Sequence, residues 1–203
     1  EATNGFAIAD RPIGQEFAPY VIAEISANHN ANKAAALELI AAVADTGVDA
    51  VKFQHYTPET ITVRSKHPDF QVKGGTLWDG RQLADLYAEA MTPWEWTEDL
   101  AAACARHNLI WFSTPFDPTA VDFLADFDVP AFKIASFELV DLPLIRYAAS
   151  KGRPVIISTG MGTVGEIDAA VAAAVEGGAT SVALLRCNSG YPAEPSEMGL
   201  AAI

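Results

Sequence analysis

The chain has 203 residues and a mass of 21.6 kDa, with 50% apolar and 19% charged residues, which is enough apolar surface to form a core. Its net charge of −13 disfavours nucleic acid as a partner, because a phosphate backbone would be repelled. Apolar runs such as residues 181–185 are far shorter than the roughly 20 residues that cross a bilayer. No signal peptide is evident, and Cys104 and Cys187 are typical of free, reduced cysteines. We therefore expect a cytoplasmic protein without a membrane partner.

Short apolar runs alternate with Ala-rich helical segments from Tyr20 onward, and this alternation is typical of a parallel α/β sheet. The pattern predicts six strands, at residues 20–25, 50–55, 110–113, 131–134, 154–158 and 181–185.

Helix-start and helix-stop residues separate these strands. Residues 33–46 carry apolar side chains at helical spacing and are followed by Gly47. Two capping boxes are predicted, each a threonine with a glutamate three positions later. The start signals are Thr92-Pro93-Trp94-Glu95, Thr163-Val164-Gly165-Glu166 and Asp117-Pro118, and the further stops are Gly152 and Gly177-Gly178.

The turn after the first strand reads Ser-Ala-Asn-His-Asn at residues 26–30, so the glycine-rich phosphate turn of a Rossmann sheet is missing. The later strand-to-strand steps are short and regular, which favours a (β/α)8 TIM barrel. Such a barrel takes eight strands and about 250 residues. We interpret residues 1–203 as the N-terminal part of a barrel domain that lacks its last strands; an open sheet is the alternative. Residues 57–91 are predicted to cover a substrate, or else to be a surface insertion.

Polar residues cluster near the carboxyl ends of the predicted strands, where the active sites of barrels lie. Lys52 and Gln54 share one face of the second strand, because strand side chains alternate with period two. The whole set is Glu24, Lys52, Gln54, Ser113, Thr114, Lys133, Ser136, Ser158, Thr159 and Arg186.

Lys52 and Lys133 are the most informative members of this set. A partly desolvated ammonium is costly unless it meets an anion, so two such lysines predict an anionic ligand. Pairing with internal carboxylates such as Glu24 or Glu138 is the alternative. Glu24 is a candidate proton carrier or a group that orients Lys52. Ser158-Thr159-Gly160 would suit a phosphate or carboxylate, and the four histidines are not spaced as a metal cluster.

Six short motifs in order resemble the sialic acid synthase family, and the resemblance spans residues 17–193. They are Ala23-Glu24-Ile25 with Asn28-His29, Val51-Lys52-Phe53-Gln54, Phe112-Ser113-Thr114-Pro115-Phe116, Phe132-Lys133-Ile134-Ala135-Ser136, Ile157-Ser158-Thr159-Gly160-Met161 and Cys187-Asn188-Ser189-Gly190-Tyr191-Pro192.

Other features look more like the pseudaminic acid synthases of that family than the N-acetylneuraminate synthases. Ser189 stands where the neuraminate enzymes typically carry Asn. The remaining features are Tyr56-Thr57-Pro58-Glu59-Thr60, Gly74-Gly75-Thr76-Leu77-Trp78, Leu86-Tyr87 and Thr92-Pro93-Trp94-Glu95-Trp96.

The resemblance implies condensation of phosphoenolpyruvate with the open-chain aldehyde of an N-acetylated amino sugar, giving a nine-carbon 2-keto acid and phosphate. It also implies a divalent metal, Mn2+ or Mg2+, as a Lewis acid on the aldehyde oxygen, and a homodimer. Two metal-binding histidines and a C-terminal antifreeze-like domain, which belong to the family, would follow Ile203. No metal ligand is therefore expected within this chain.

The resemblance also implies roles for individual residues. Glu24, Lys52 and Gln54 would be catalytic, and the substrate-binding residues would be Thr114, Lys133, Ser136, Ser158, Ser189 and Tyr191. Two alternatives remain open: a Schiff-base keto-acid aldolase that uses Lys133 or Lys52, and a non-catalytic fragment that binds anions.

Overall fold

Six parallel strands and seven helices are the main elements of the part of the chain that the computed structural model describes, residues 5–73, 78–188 and 194–199. The strands are β1 (Gly5–Ile8), β2 (Arg11–Gly14), β3 (Ile22–Glu24), β4 (Ala50–His55), β5 (Ile110–Pro115), β6 (Phe132–Ile134), β7 (Val155–Ser158) and β8 (Val182–Leu185), of which β3 to β8 are the parallel ones. The helices are α1 (Lys33–Ala44), α2 (Pro58–Ile61), α3 (Leu83–Ala90), α4 (Thr97–Arg106), α5 (Pro118–Asp126), α6 (Leu142–Ala149) and α7 (Val164–Gly177).

The chain divides into two units, and the first comprises Ala18–Ala120. Its parallel strands β3, β4 and β5 pair in chain order, with Ala23 opposite Val51 and Val51 opposite Trp111. One face of this sheet is apolar and buried against α1 and α4, where Ile40 and Leu100 belong to the same core cluster. The opposite face of β4 therefore carries Lys52 and Gln54.

The second unit comprises Glu1–Phe17 and Val121–Ile203. Strands β1 and β2 form an antiparallel hairpin, and β6, β7 and β8 form parallel pairs in chain order. Helix α7 approaches α6 closely at Gly177, where an added Cβ would lie 2.7 Å from the Arg146 carbonyl oxygen. Only glycine fits this contact, so the two helices pack with their backbones nearly touching.

All six parallel strands predicted from the sequence are present, each within two residues of its predicted start and end. The Thr163 capping box is confirmed, with Glu166 accepting from the Thr163 N–H at 2.7 Å. The capping box at Thr92 was wrong, because the Thr92 side chain is buried against His29 instead. A short 3-10 turn occupies Trp94–Trp96, and α4 begins only at Thr97. Within the described residues, no helix is long and apolar enough to span a membrane.

The insertion predicted at residues 57–91 has secondary structure of its own. It contains α2, a 3-10 turn at Pro68–Phe70 and α3, and a β-bridge joins Gln71 to Gln82. Arg64 forms ion pairs with Glu59 at 3.2 Å and with Asp85 at 3.0 Å, and so connects the beginning of the insertion to α3. Its predicted role as a substrate cover stays a prediction.

Two buried histidines fix the end of this insertion to the sheet. His29 accepts the Ala31 N–H at Nδ1, so its Nε2–H is free to donate to Thr92 Oγ1, 3.3 Å away. The His55 ring contacts Ser113 Oγ at 2.7 Å through Nδ1 and Thr97 Oγ1 at 2.9 Å through Nε2. Burial lowers the pKa of both rings, that of His55 to about 4. Both imidazoles are therefore neutral when the protein is folded at neutral pH.

We expect His55 to make the protein acid-labile. Its folded pKa of about 4 lies below the ordinary 6.5, so its stabilising effect is complete above pH 6.5 and is lost as the pH falls toward 4. Between pH 7.5 and pH 5 the wild type should lose about 2 kcal/mol of unfolding free energy through this residue. Chemical denaturation of wild type and His55→Gln at both pH values measures this loss. The exposed His107→Gln is the control; an equal pH dependence in wild type and His55→Gln would contradict the assignment.

Candidate active site

Lys52 in β4 carries a buried ammonium group in the first unit. The residue is 3% exposed, and its Nζ lies 3.0 Å from Glu24 Oε2 and 3.0 Å from Thr114 Oγ1. Burial lowers the pKa of Lys52, and the charge and hydrogen bond of Glu24 partly offset that effect. The sequence left open whether Lys52 meets an anionic ligand or pairs with an internal carboxylate. The structure shows an ion pair with Glu24.

Glu24 ends β3 and is the solvent-facing partner of this pair. Its side chain is 54% exposed, and Ser26 Oγ donates to Oε2 at 3.3 Å. The parallel register sets Glu24 directly opposite Lys52, so the ion pair follows from strand pairing and not from a chance side-chain conformation. A half-exposed carboxylate next to a buried ammonium can accept a proton from a ligand that reaches it from solvent.

Strand alternation sorts the other polar residues of this unit onto two faces. Gln54 pairs with Thr114 in the register and shares the face of Lys52, as predicted. Ser113 lies on the opposite face, where it contacts His55. The sequence had grouped Ser113 with the site, and that placement was wrong because the odd positions of β4 and β5 face the helices.

Lys133 in β6 carries the buried ammonium of the second unit. The residue is 4% exposed, and its Nζ donates to Ser158 Oγ and, at 2.8 Å, to the Ile134 carbonyl. Both acceptors are neutral oxygens. The charge of Lys133 also acts on Glu138 and Cys187, and a buried ammonium of this kind suits an anionic ligand.

The loops after β6 and β7 surround this lysine with further hydrogen-bonding groups. Gly160 N–H donates to Ser136 Oγ at 3.2 Å, and Thr159 Oγ1 donates to the Leu185 carbonyl at 2.9 Å. Gly162 fits tightly, since an added Cβ would lie 2.2 Å from Leu139 Cδ2. The predicted residues Lys133, Ser136 and Ser158 are therefore brought together in one unit.

Cys187, which follows β8, belongs to the same group of side chains. Burial alone would raise the pKa of its thiol, but hydrogen bonds with Ser158, Thr159 and Ser136 and the charge of Lys133 bring the pKa below its ordinary value. The sequence had assigned Cys187 only as a free cysteine. The signal that would have revealed it is its position just after a strand end.

A pocket of about 150 Å3 adjoins Ser136 and Gly160. Its wall is about equally polar and apolar, and Glu166 borders it while capping α7. The apolar members of the wall are Phe137, Leu139, Val140 and Met161.

Residues 5–73, 78–188 and 194–199 contain no cluster of potential metal ligands. No group of three or more His, Cys, Asp and Glu side chains there has the arrangement to hold an ion. The described residues alone thus do not fit the divalent metal that the family resemblance implies. Ser189 and Tyr191, predicted to bind substrate, lie outside the described residues.

The comparison that decides the family is a match of residues 39–203 to the NeuB family. The chain belongs to the NeuB family. It is 40% identical over 182 residues to the pseudaminic acid synthase of Helicobacter pylori, covering 90% of this chain and 53% of that protein. It is 40% identical over 184 residues to the pseudaminic acid synthase of Campylobacter jejuni, covering 91% of this chain and 53% of that protein. This NeuB-family chain spans about half the length of the curated relatives it matches.

A solved structure shows the same fold. The crystal structure of the N-acetylneuraminic acid (sialic acid) synthetase from Leptospira borgpetersenii, in complex with citrate, covers 99% of this chain with a TM-score of 0.84 and 27% identity. The chain covers 65% of that protein. The α/β fold class, a (β/α)8 barrel of which six strands are present, is confirmed, and so is the resemblance read from the motifs.

We expect Glu24→Gln to lower the unfolding free energy at pH 7 by about 1–2 kcal/mol, because it leaves the Lys52 ammonium buried without its counter-ion. Lys52→Met should cost less or be neutral, since it removes the buried charge itself. Urea denaturation of both variants tests this, with the exposed Glu38→Gln as a control. A larger loss in Lys52→Met than in Glu24→Gln would contradict the account.

Proposed function

We propose that the protein condenses phosphoenolpyruvate with the open-chain aldehyde of an N-acetylated amino sugar, giving a nine-carbon 2-keto sugar acid and phosphate. The observation that carries the proposal is the pair of lysines, each at least 96% buried at a strand end, in a chain of net charge −13. Such ammonium groups suit a substrate that bears both a carboxylate and a phosphate. Membership of the NeuB family supports the same reaction class.

The Lys133 group is the part of the site that binds phosphoenolpyruvate in this proposal. The ammonium supplies the charge, and Ser158 and Ser136 supply hydroxyl donors; the Gly160 N–H donates to Ser136 Oγ and so positions that hydroxyl. Charge-assisted hydrogen bonds of this kind are stronger than neutral ones and orient the anion. Thr114, bonded to Lys52, is proposed to offer a hydroxyl to a substrate that binds beside Lys52.

The Lys52 group is proposed to carry the proton chemistry. Carbon 3 of phosphoenolpyruvate attacks the aldehyde carbon, water adds at carbon 2, and the tetrahedral intermediate expels phosphate by C–O cleavage. Glu24 is half-exposed and hydrogen-bonded to Lys52, so its carboxylate can take the proton from the attacking water. Gln54 shares the Lys52 face and is proposed to contact the substrate.

A divalent metal, Mn2+ or Mg2+, is part of the proposal through the family resemblance. The described residues do not form a site for this metal. The roles proposed here for Lys133, Lys52, Glu24 and Gln54 do not involve it. The same resemblance supports a homodimer of the full protein, and the two free cysteines support a cytoplasmic location.

A pseudaminic-acid type of product is the one the comparisons support best. The chain is 40% identical to two pseudaminic acid synthases and 27% identical to the N-acetylneuraminic acid synthetase of known structure. We therefore propose that the N-acetylated amino sugar is of the type used by pseudaminic acid synthases.

A Schiff-base keto-acid aldolase is a second candidate, favoured by one observation. Burial lowers the pKa of Lys52, and a neutral amine is what carbonyl attack requires. Borohydride reduction in the presence of pyruvate, followed by mass spectrometry, separates the two. A stable adduct on Lys52 or Lys133 would overturn the condensation mechanism, and an unmodified protein that releases phosphate would support it.

We expect Lys133→Ala to raise the KM for phosphoenolpyruvate by about 10- to 100-fold, because a charge-assisted contact contributes roughly 1.5–3 kcal/mol. The assay is metal-dependent phosphate release by the protein at its full encoded length, with each amino sugar in turn. Lys151→Ala is the matched control, since Lys151 pairs with Asp122 on the surface of the same unit. An unchanged KM in Lys133→Ala would refute the binding role.

A further inference from the structure

Ser26 has a backbone conformation that residues with a side chain rarely adopt. Its φ is +43°, and it lies two residues after Glu24, which ends β3. A positive φ is unfavourable for a residue that carries a Cβ, whereas glycine adopts it freely. A strained residue next to a candidate site is a reason to look for a task that its side chain performs.

Backbone hydrogen bonds hold Ser26 in this conformation. The Ile25 and Ser26 N–H groups both donate to the Lys52 carbonyl, at 3.0 Å and 3.4 Å. The Asn28 N–H donates to the Ile25 carbonyl at 2.9 Å, so Ser26 is the first central residue of a turn. Glycine, asparagine and aspartate are the usual residues where that position has a positive φ. The turn itself therefore does not require a serine.

The Ser26 side chain acts on Glu24 instead. Its hydroxyl donates to Glu24 Oε2 at 3.3 Å, and the same oxygen lies 3.0 Å from Lys52 Nζ. The Glu24 side chain is 54% exposed, so packing alone does not fix its direction. An ammonium is a compact charge with rotatable donors, and it fixes the place of one oxygen better than the orientation of the carboxylate. The hydroxyl supplies the second, directional contact.

An oriented carboxylate is what the proposed proton transfer requires. A general base works only when its accepting atom lies within hydrogen-bond reach of the proton that it takes. Glu24 has two oxygens, and the Lys52 and Ser26 donors both contact Oε2. Fixing that atom also fixes the direction of Oε1, because the two oxygens belong to one rigid planar group.

We propose that Ser26 is a positioning residue, whose hydroxyl and Lys52 together hold Oε2 of Glu24 so that Oε1 takes the proton of the attacking water. This inference rests on the proposed function. The water oxygen bonds to carbon 2 of the substrate, its O–H bond breaks, and the proton moves to Oε1. Ser26 keeps its own proton and touches neither substrate.

Two variants test this in the protein at its full encoded length. Ser26→Gly removes the hydroxyl and relieves the strain at positive φ, and Ser26→Ala removes the hydroxyl but keeps the Cβ. Asn108→Gly is the matched control. Asn108 is exposed, has a φ of +55°, and lies before β5, at the opposite end of the sheet in the same unit.

The readouts are the single-turnover rate of phosphate release, the KM values for phosphoenolpyruvate and the amino sugar, and the midpoint of urea denaturation. A single turnover reports the chemical step separately from product release. We expect both Ser26 variants to react about 10-fold more slowly, as each lacks one hydrogen bond to a charged group. Both KM values should change less than about 3-fold, because the contact orients the base and does not bind substrate.

Stability should follow a different order from the reaction rate. Ser26→Gly and Asn108→Gly should be at least as stable as wild type, Ser26→Ala no more stable, and Asn108→Gly should react at the wild-type rate. An unchanged rate in either Ser26 variant, a rise in KM that accounts for the loss, or a Ser26→Gly protein less stable than wild type would each overturn the inference alone. A wild type that releases no phosphate with any amino sugar would instead overturn the proposed function and the inference with it.

Discussion

The two buried ammonium groups of Lys52 and Lys133 are the constraint on which the rest of this structure depends. Lys52 and Lys133 are 3% and 4% exposed, and a buried charge of this kind is tolerated only where hydrogen bonds replace its lost hydration. Each lysine meets the requirement differently. Lys52 has a carboxylate partner that is opposite it in the register, whereas Lys133 relies on a hydroxyl and a carbonyl. The polar residues at the strand ends supply the hydrogen bonds that these two charges require.

The same strands also meet a second requirement on their other face. In β4 the residues alternate between Lys52 and Gln54 on one side and Phe53 and His55 on the other. His55 reaches Ser113 and Thr97, so the apolar face is closed by a neutral, fully hydrogen-bonded polar group. A one-residue slip of this strand would exchange the two faces, and both lysine and histidine would lose their partners. Contacts on both faces of the sheet, those of Lys52 and those of His55, thus fix the register of β4.

Much of the fold followed from the sequence, because its signals are local. Each of these signals is recognised from a few neighbouring residues. Examples are the apolar strand runs, the Thr163 capping box and the glycines that end helices. Contacts between distant residues could not be predicted in this way: Thr92 was assigned as a cap because nothing nearby shows that His29, 63 residues earlier, holds its hydroxyl. Ser113 was listed with the polar strand ends for a similar reason, since the sequence does not show that its hydroxyl contacts His55, 58 residues earlier. The hairpin of β1 and β2 was missed because its strands are four residues long and contain Pro12.

The thiols of Cys104 and Cys187 lie in different electrostatic environments. Burial raises the pKa of Cys104 to about 12, so this thiol stays protonated in its core. Cys187 lies instead beside Lys133 and has a lowered pKa. Alkylating reagents react with thiolates and not with thiols. Of the two cysteines in residues 1–203, we therefore expect Cys187 to react first, which would place a fluorophore or spin label next to Lys133.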